Sequence, residues 1–552
     1  MEVESKDVSA TSTLTGSQVN DAEKARASLE AEHENEQLEF KFVGTMKWYT
    51  ITLAFTGLII GQFLAALDAT IITTALNTIA ADLNAVNEVS WVATGYIMTY
   101  NSFQPLLGKF SHIFGHKAII GMGIVCFIIG SAMAGFSPNI ITLILARAIQ
   151  GVGGAGILSM VIITISDMFP LETRAKYLAI PQSVFGIATI VGPLIGGAFT
   201  DKLSWRWNFW INIPLGLVAL PLVLIYLPLP IPKSKWSTKL ARVDFLGTFV
   251  LIAFVIAILL PTSWGGTTYP WSSPIIIALY CVAFVFGIVF IIIEWKFAAE
   301  PIVPLRLFKN YNTSLIFAVA FFQGSAFYCW IFYSPYYYAA VNGDSATISG
   351  LQLLPLLLGL TIFSVVSIFS LPLVRFYNVY VILGNIMVVA GTALFSTLDE
   401  TASRGQQIGY MLMVGAGLGF SLQVQTLLLQ ASVDQSDVAI VSGLTQFFQS
   451  IGGGIGLAVL SALFTNSLTS QFSALPANVL AGLATWNQRP ASLHSLPADI
   501  SGPTIHAYTQ ALRQIFIYGT PFAAAAAFLS ILLIWKRVPK SGVPKTEAVA
   551  MG

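Results

Sequence analysis

The sequence predicts an all-α integral membrane protein made of two six-helix halves with two further helices inserted between them, and three observations carry that expectation. The 552 residues are 55% hydrophobic and only 10% charged, with a mean hydropathy of +0.76, whereas soluble domains carry roughly 25% charge. Apolar runs near the length that a bilayer-crossing helix needs recur along the chain, too long and too little alternating for barrel strands. Lysine and arginine gather in alternate loops between these runs, the pattern of a polytopic protein with a fixed orientation. A net charge of +1 therefore says less than where the charges lie.

Residues 1–47 are polar, rich in Glu, Ser and Ala and without apolar periodicity, and are expected to form a disordered cytosolic tail. The first apolar run, 50–74, is too long for a signal-peptide core and should stay as a span. Five more follow at 90–107, 118–136, 140–168, 177–200 and 209–227, so that 48–228 reads as the first half. A basic linker opens the 229–310 segment, which holds two extra spans at 245–261 and 274–295. The second half, 311–540, supplies spans at 314–340, 348–373, 379–396, 407–430, 438–464 and 515–535. Its only long outer loop, 466–511, is Ser-, Pro- and Ala-rich and reads as an external cap or spacer; 541–552 is a second cytosolic tail.

Fourteen spans put both termini on one side. Lys109, Lys117, Arg174, Lys176, Lys233, Lys235, Lys239, Arg242, Lys296, Arg306, Lys309 and Arg375 fall in one set of loops, and Lys536, Arg537 and Lys540 follow the last span. The opposite set has Lys202, Arg206, Arg404, Arg489 and Arg513. The basic side is expected to be cytoplasmic, in the plasma membrane or, alternatively, the vacuolar membrane. Two such halves suit alternating access around a midplane site.

An ionisable side chain at the bilayer centre costs about 3 kcal/mol or more and so needs a reason. Asp68, in GQFLAALDATIITTALN, and Arg147, in ITLILARAIQGVGGAGI, are the two such residues. At ~1.5 Å per residue their depths overlap, so the two can communicate. Burial favours the protonated acid and a guanidinium favours the carboxylate, so opening the site to water changes the affinity for a proton. Asp68 is thus the expected proton carrier and Arg147 its fixed charge, against a static ion pair as the plain alternative. Gln150, Gly151, Gly153, Gly154 and Gly156 strip one flank of the fourth span of bulk, either to approach the pore beside spans one and five or to pack closely. In the fifth span Gly192 and Gly196 share one face and Pro193 removes a backbone donor, so two backbones should meet there.

GKFSHIFGHK, RAIQGVGGAG, IVGPLIGGAFTD and WRWNFWINIPLG occur in order at matching helix positions, and with them the chain resembles the major facilitator superfamily. With LDATIITTALNTIAADL in the first span it resembles more narrowly the fourteen-helix drug:H+ antiporters, in particular fungal toxin and multidrug efflux pumps. The resemblance implies the major facilitator fold and a role in proton coupling for Arg147, for Gln150 to Gly156 and for Asp68. It implies that Gly192, Pro193, Gly196 and Gly197 form the antiporter element, linked with export. It also implies that Gly108, Gly115 and Lys117 belong to a loop that latches the outward-open state. His112 stands where the family has an acid and Ile113 where it has a base, which puts the charge relay of that latch in doubt; His112 is expected to be exposed.

The second half has no comparable buried acid, so its polar contacts should be neutral. Gln150, Gln323, Phe327, Tyr328, Trp330, Gln352, Gln423 and Gln446 are the candidate substrate-binding residues, suited to flat, partly apolar ligands. Tyr336, Tyr337 and Tyr338 are expected as interface-belt residues. The expected function is proton-driven export of an amphipathic small organic compound; the alternatives are a siderophore or other narrow-substrate carrier of the same fold, or a non-transporting membrane sensor. An enzyme is not expected. The five histidines lie outside the spans and form no metal-ligand cluster, no G-x-x-x-x-G-K-[ST] occurs, and the basic loops are short and dispersed, unlike a nucleic-acid surface. No cofactor or metal is expected; the partners are the substrate, protons and the lipid bilayer, and the chain should act as a monomer.

Overall fold

A computed structural model describes residues 47–85, 88–169, 171–227, 229, 236–265, 268–298, 300–434, 437–483 and 490–537. The expected tails, apart from residue 47, together with Lys233, Lys235, Arg489 and Lys540, lie outside the described residues. Among the described residues, fourteen long helices carry the fold. The first half contains α1 (Trp48–Ile71), α2 (Ser90–Phe114), α3 (His116–Gly135), α4 (Ile140–Met168), α5 (Leu171–Lys202) and α6 (Asn212–Tyr226). The inserted pair is α7 (Phe245–Trp264) and α8 (Pro274–Lys296). The second half contains α9 (Tyr311–Val341), α10 (Leu354–Val374), α11 (Tyr377–Phe395), α12 (Arg404–Gln430), α13 (Val438–Ser473) and α14 (Ala498–Ile531). Among the described residues, thirteen helices are long and apolar enough to cross a membrane. The remaining long helix, α2, has 25 residues but dilutes its hydropathy with Asn101, Ser102, Gln104 and Lys109. No strand forms among the described residues beyond isolated bridges.

The two halves pack by equivalent pairs. In the first, α1 lies against α5 and α6 while α4 lies between α2 and α3; in the second, α9 lies against α13 and α14 while α12 lies between α10 and α11. The halves meet through α2 with α13 and α5 with α10. Helix α7 touches both α2 and α13 and so runs along one of these seams. Contacts tie it to the first half: Thr94 and Ser263 hydroxyls are 3.3 Å apart, and Trp91 meets Trp264 edge-on at 5.6 Å. Lys109 of α2 pairs at 3.0 Å with Glu300, which also takes Arg242, so the connectors of the inserted pair are held to the same helix.

Apolar burial is not symmetric along the bundle axis. At the end carrying the basic loops one cluster joins both halves, from Leu58, Met160 and Met168 to Leu427, Leu428 and Val441. Toward the other end it separates into a cluster of the second half, around Trp330 and Phe395, and clusters of the first half around Ile71 and Phe209. At the basic end hydrogen bonds cross between the halves: Gln430 accepts from Arg174 at 3.1 Å and donates to Ser166 at 3.1 Å. Gly108 reinforces this closure, since a Cβ there would stand 3.3 Å from the Ala439 carbonyl oxygen.

The outer segment between the last two spans is more helical than its composition suggested. Helix α13 runs on to Ser473, short helices cover Ala477–Leu483 and Pro490–Ser495, and α14 begins at Ala498, well before 515. Polar faces kept these turns out of the apolar runs, yet their inner sides pack: Ser467 donates to Gln514 at 2.6 Å, and Phe472 meets Tyr508 at 5.6 Å.

Candidate functional site

Asp68 is fully buried three residues before the end of α1, and side chains from three other helices converge on it. Its Oδ2 accepts from Arg147 Nη1 at 2.5 Å. Its Oδ1 accepts from Gln150 Nε2 at 3.1 Å and from Asn212 Nδ2 at 2.8 Å. The same two amides also donate to Ser131 Oγ on α3, at 2.8 and 3.3 Å. Gln150 Oε1 accepts from Arg147 Nη1 at 3.0 Å, and Arg147 Nε donates to the Val92 carbonyl at 3.1 Å. Every hydrogen-bond partner of the carboxyl is an N–H donor, a set that suits a carboxylate and offers no acceptor for a carboxyl proton. The guanidinium also lies 4.5 Å from the centre of the Tyr96 ring, a cation–π geometry.

Spacing explains how the chain assembles this. Arg147 and Gln150, three apart, share a face of α4. The glycines beside them let that helix sink between its neighbours. A Cβ on Gly151 or Gly154 would overlap Thr99 or Tyr96 of α2, and one on Gly153 would stand 2.7 Å from the Gly123 oxygen of α3. The flank therefore packs on α2 and α3, not on α1 and α5. In α5, a Cβ on Gly192 or Gly196 would overlap Thr70 or Ile71 of α1, just past Asp68, whereas Gly197 meets nothing within 4 Å.

Other expected residues fall into three places. Gly115 ends α2 with φ +92, a conformation that favours glycine. Lys117 donates to the Leu227 carbonyl at 3.3 Å, a bond within the first half. His112 is not an exposed loop residue: it sits half-buried in the last turn of α2, its ring 5.9 Å from that of His116. In the second half Gln323 is 1% exposed and donates to Asn385 and Ser421 at 2.7 and 2.9 Å. Trp330 is also buried, donating to Thr392 at 3.1 Å and packing on Phe395 and Phe516. These two point into their own half, because α9 is long and its inner face is set by α11, α12 and α14. The same face of α9, two turns on from Trp330, buries Tyr337 and Tyr338, which are not belt residues, and leaves only Tyr336 exposed among the three. Phe327, Tyr328, Gln352, Gln423 and Gln446 are half-buried.

The geometry adds Ser131, Asn212 and Tyr96. Asn212 was visible as a lone amide opening an apolar helix; Ser131 and Tyr96 resemble ordinary small-residue and aromatic packing positions.

Comparison with known proteins agrees with the helix plan. The family model described as Major Facilitator Superfamily matches residues 58–457. The chain belongs to the major facilitator superfamily. It is thus a multi-pass membrane transporter rather than an enzyme. It is similar to "MFS-type efflux pump MFS1" of Arthroderma benhamiae, 33% identical over 509 residues that cover 91% of this chain and 94% of the relative. It is similar also to "Efflux pump dotC" of Dothistroma septosporum, 33% identical with 88% and 83% covered. Among solved structures, a bacterial homologue of the human lysosomal transporter Spinster, inward-facing and unoccupied, shares the fold with a TM-score of 0.54 at 16% identity, covering 88% of this chain and 97% of that one.

Proposed function

We propose that this protein exports an amphipathic small organic compound in exchange for protons, by alternating access. The observation that carries the reading is the buried Asp68 carboxylate held wholly by N–H donors of α4 and α6. Relatives named as efflux pumps support the direction. The basic loop end is read as cytoplasmic, with both termini there, so joined packing at that end describes an outward-facing protein, placed in the plasma membrane and acting as a monomer.

A proton arriving from the outer side at Asp68 Oδ2 cancels the charge that anchors Arg147 and replaces an accepted bond with a donor facing a donor. That loosens α1 against α4 and weakens the bound compound; release of the proton inward restores the carboxylate. Arg147 meanwhile keeps Gln150 Oε1, the Val92 carbonyl and the Tyr96 ring as partners. Gly192, Pro193, Gly196 and Gly197 act in the α5 crossing, while Gly108, Gly115, Lys117 and Gly151 shape the elements that move. Half-buried Phe327, Tyr328, Gln352, Gln423 and Gln446 are the residues left to meet the compound.

The test uses purified protein in proteoliposomes of known orientation under an imposed pH gradient, with a panel of fluorescent amphiphiles. Wild type should move a subset of them and Asp68→Asn none, while remaining folded in the membrane. Unchanged gradient-driven efflux in Asp68→Asn would remove Asp68 from the coupling.

A further inference from the structure

Helices α11 and α14 cross in the second half with a groove between them. Ala393 and Ser396 on one wall and Pro521, Ala524, Ala525 and Phe528 on the other border a cavity of about 770 Å3, within the roughly 300–1,000 Å3 of small-molecule sites. Neither helix belongs to the pairs through which the halves meet, and Ile517 and Phe528 on the rim are 50% and 62% exposed. The groove therefore faces lipid. At the equivalent α3–α6 crossing large side chains fill in: a Cβ on Gly135 would overlap the Trp210 indole, one on Gly216 would meet Ile128 at 2.5 Å, and Phe136 packs on Trp210 at 5.4 Å.

Depth follows from helix length. A hydrocarbon core of ~30 Å takes ~20 helical residues, so with Lys536 at the boundary on the basic side the far boundary falls near Phe516. Arg513 then stands just beyond the hydrocarbon, Ile517 at its edge, and Ala524 to Phe528 ~12–18 Å within it. The groove spans one leaflet, the one remote from the basic loops.

Two polar groups border its mouth. Arg513, one turn before Ile517, donates from Nε to the Ser396 carbonyl at 3.0 Å, which holds the guanidinium at the end of α11. The acids of the neighbouring loop are bonded elsewhere, Asp399 to Thr401 and Glu400 to His506. Pro521 has no N–H, so the carbonyl of Ile517 loses its donor within the helix, and both residues line the groove. The wall hydroxyls are occupied in their own helices, Ser396 on the Ala393 carbonyl at 2.7 Å and Thr520 on that of Phe516 at 2.8 Å. A carbonyl left unmet at the edge of the hydrocarbon costs free energy. A phosphodiester only accepts hydrogen bonds; it would serve the guanidinium and leave the carbonyl unmet. A hydroxyl serves both. Below the mouth, alanine methyls and a proline ring make a shallow wall that suits a rigid, flat apolar body.

We propose that this groove binds a membrane sterol. Its hydroxyl donates to the Ile517 carbonyl and accepts from Arg513, and its ring system lies along Ala393, Ala524 and Ala525 toward Phe528. Because the two walls come from different helices, the sterol binds only where α11 and α14 are packed, and its binding stabilises the second half. The site is separate from Asp68 and independent of the transport reading.

The test uses the full chain in phosphatidylcholine nanodiscs containing cholesterol with a diazirine in its alkyl tail, irradiated and mapped by peptide. Saturable labelling is expected in α11 or α14 and not in α3 or α6. Unlabelled cholesterol should compete roughly three- to tenfold better than its 3-ketone, the scale of one hydrogen bond. In Pro521→Ala, which returns an N–H to the Ile517 carbonyl, that advantage should vanish. Ala393→Leu and Ala525→Leu fill the groove from opposite walls and should each lower labelling at least fivefold, with melting temperatures in sterol-free nanodiscs unchanged. Labelling that is absent or does not saturate at α11 and α14 would overturn the assignment. So would equal competition by alcohol and ketone in wild type, or displacement by added phosphatidylglycerol as effective as by cholesterol, which would make the groove a general acyl-chain site.

Discussion

The two halves hold polar clusters at corresponding helices, with different chemistry. In the first, α1, α3 and α4 contribute Asp68, Ser131, Arg147 and Gln150, with Asn212 added from α6. In the second, α9, α11 and α12 contribute Gln323, Asn385 and Ser421. One cluster is a buried ion pair and the other is neutral throughout. They also lie at different depths, since Asp68 is near the end of α1 remote from the basic loops while Gln323 is in the part of α9 nearer to them. A neutral amide network fixes helices in place under any proton concentration; a carboxylate within a donor set can change with it. In the proposed antiport, the first half carries the proton chemistry and the second serves as scaffold.

Arg147→Met would break the contrast most severely, because it leaves Asp68 buried without its cation. A loss of about 3–5 kcal/mol is expected, read as a lower melting temperature in detergent, with partial recovery when Asp68→Asn is added. A cost that does not diminish in the double variant would mean the pair is not coupled.

Each cluster also sits beside a glycine crossing, Gly192 of α5 on Thr70 and Gly324 of α9 on the Gln449 backbone. Gly192→Ala and Gly324→Ala should each cost about 1–3 kcal/mol by overpacking, whereas Gly197→Ala should be neutral or gain roughly 0.5–1 kcal/mol from helix propensity. Equal behaviour of Gly192 and Gly197 in thermal unfolding would refute the crossing as the reason for the motif.

Gln323→Leu should cost about 1–2 kcal/mol by leaving Asn385 and Ser421 without their donor, and transport should keep its wild-type pH dependence. A shifted pH profile would show that the second half takes part in coupling after all.

The smallest effect is expected at Asp82, beyond α1. The Trp205 indole and then the Arg206 guanidinium, both bonded at 2.9 Å, hold its carboxyl below the ordinary carboxylate range. A lowered folded value means that its contribution is present above the unfolded value, near pH 4, and is lost as pH falls through the folded one. For so exposed a pair it is worth under about 1 kcal/mol. Asp82→Asn should therefore lower the melting temperature slightly at pH 7, by an amount that shrinks as the pH falls below 4.

The sequence by itself determined the spans, the gathering of basic loops at one end, the two buried charges and the close face of Gly192 and Gly196. Each follows from a cost readable along the chain: transferring a charge or an apolar side chain into lipid, or placing a Cβ between two backbones. Only the tertiary structure decided that Asn212 and Ser131 complete the Asp68 site, that Gln323 and Trp330 face inward, and that the halves are joined at the basic end. A helix apolar all round gives no signal of which side its neighbours will cover, as α9 illustrates. That choice rests on how α11, α12 and α14 fill the space beside it, a sum over contacts distant in sequence.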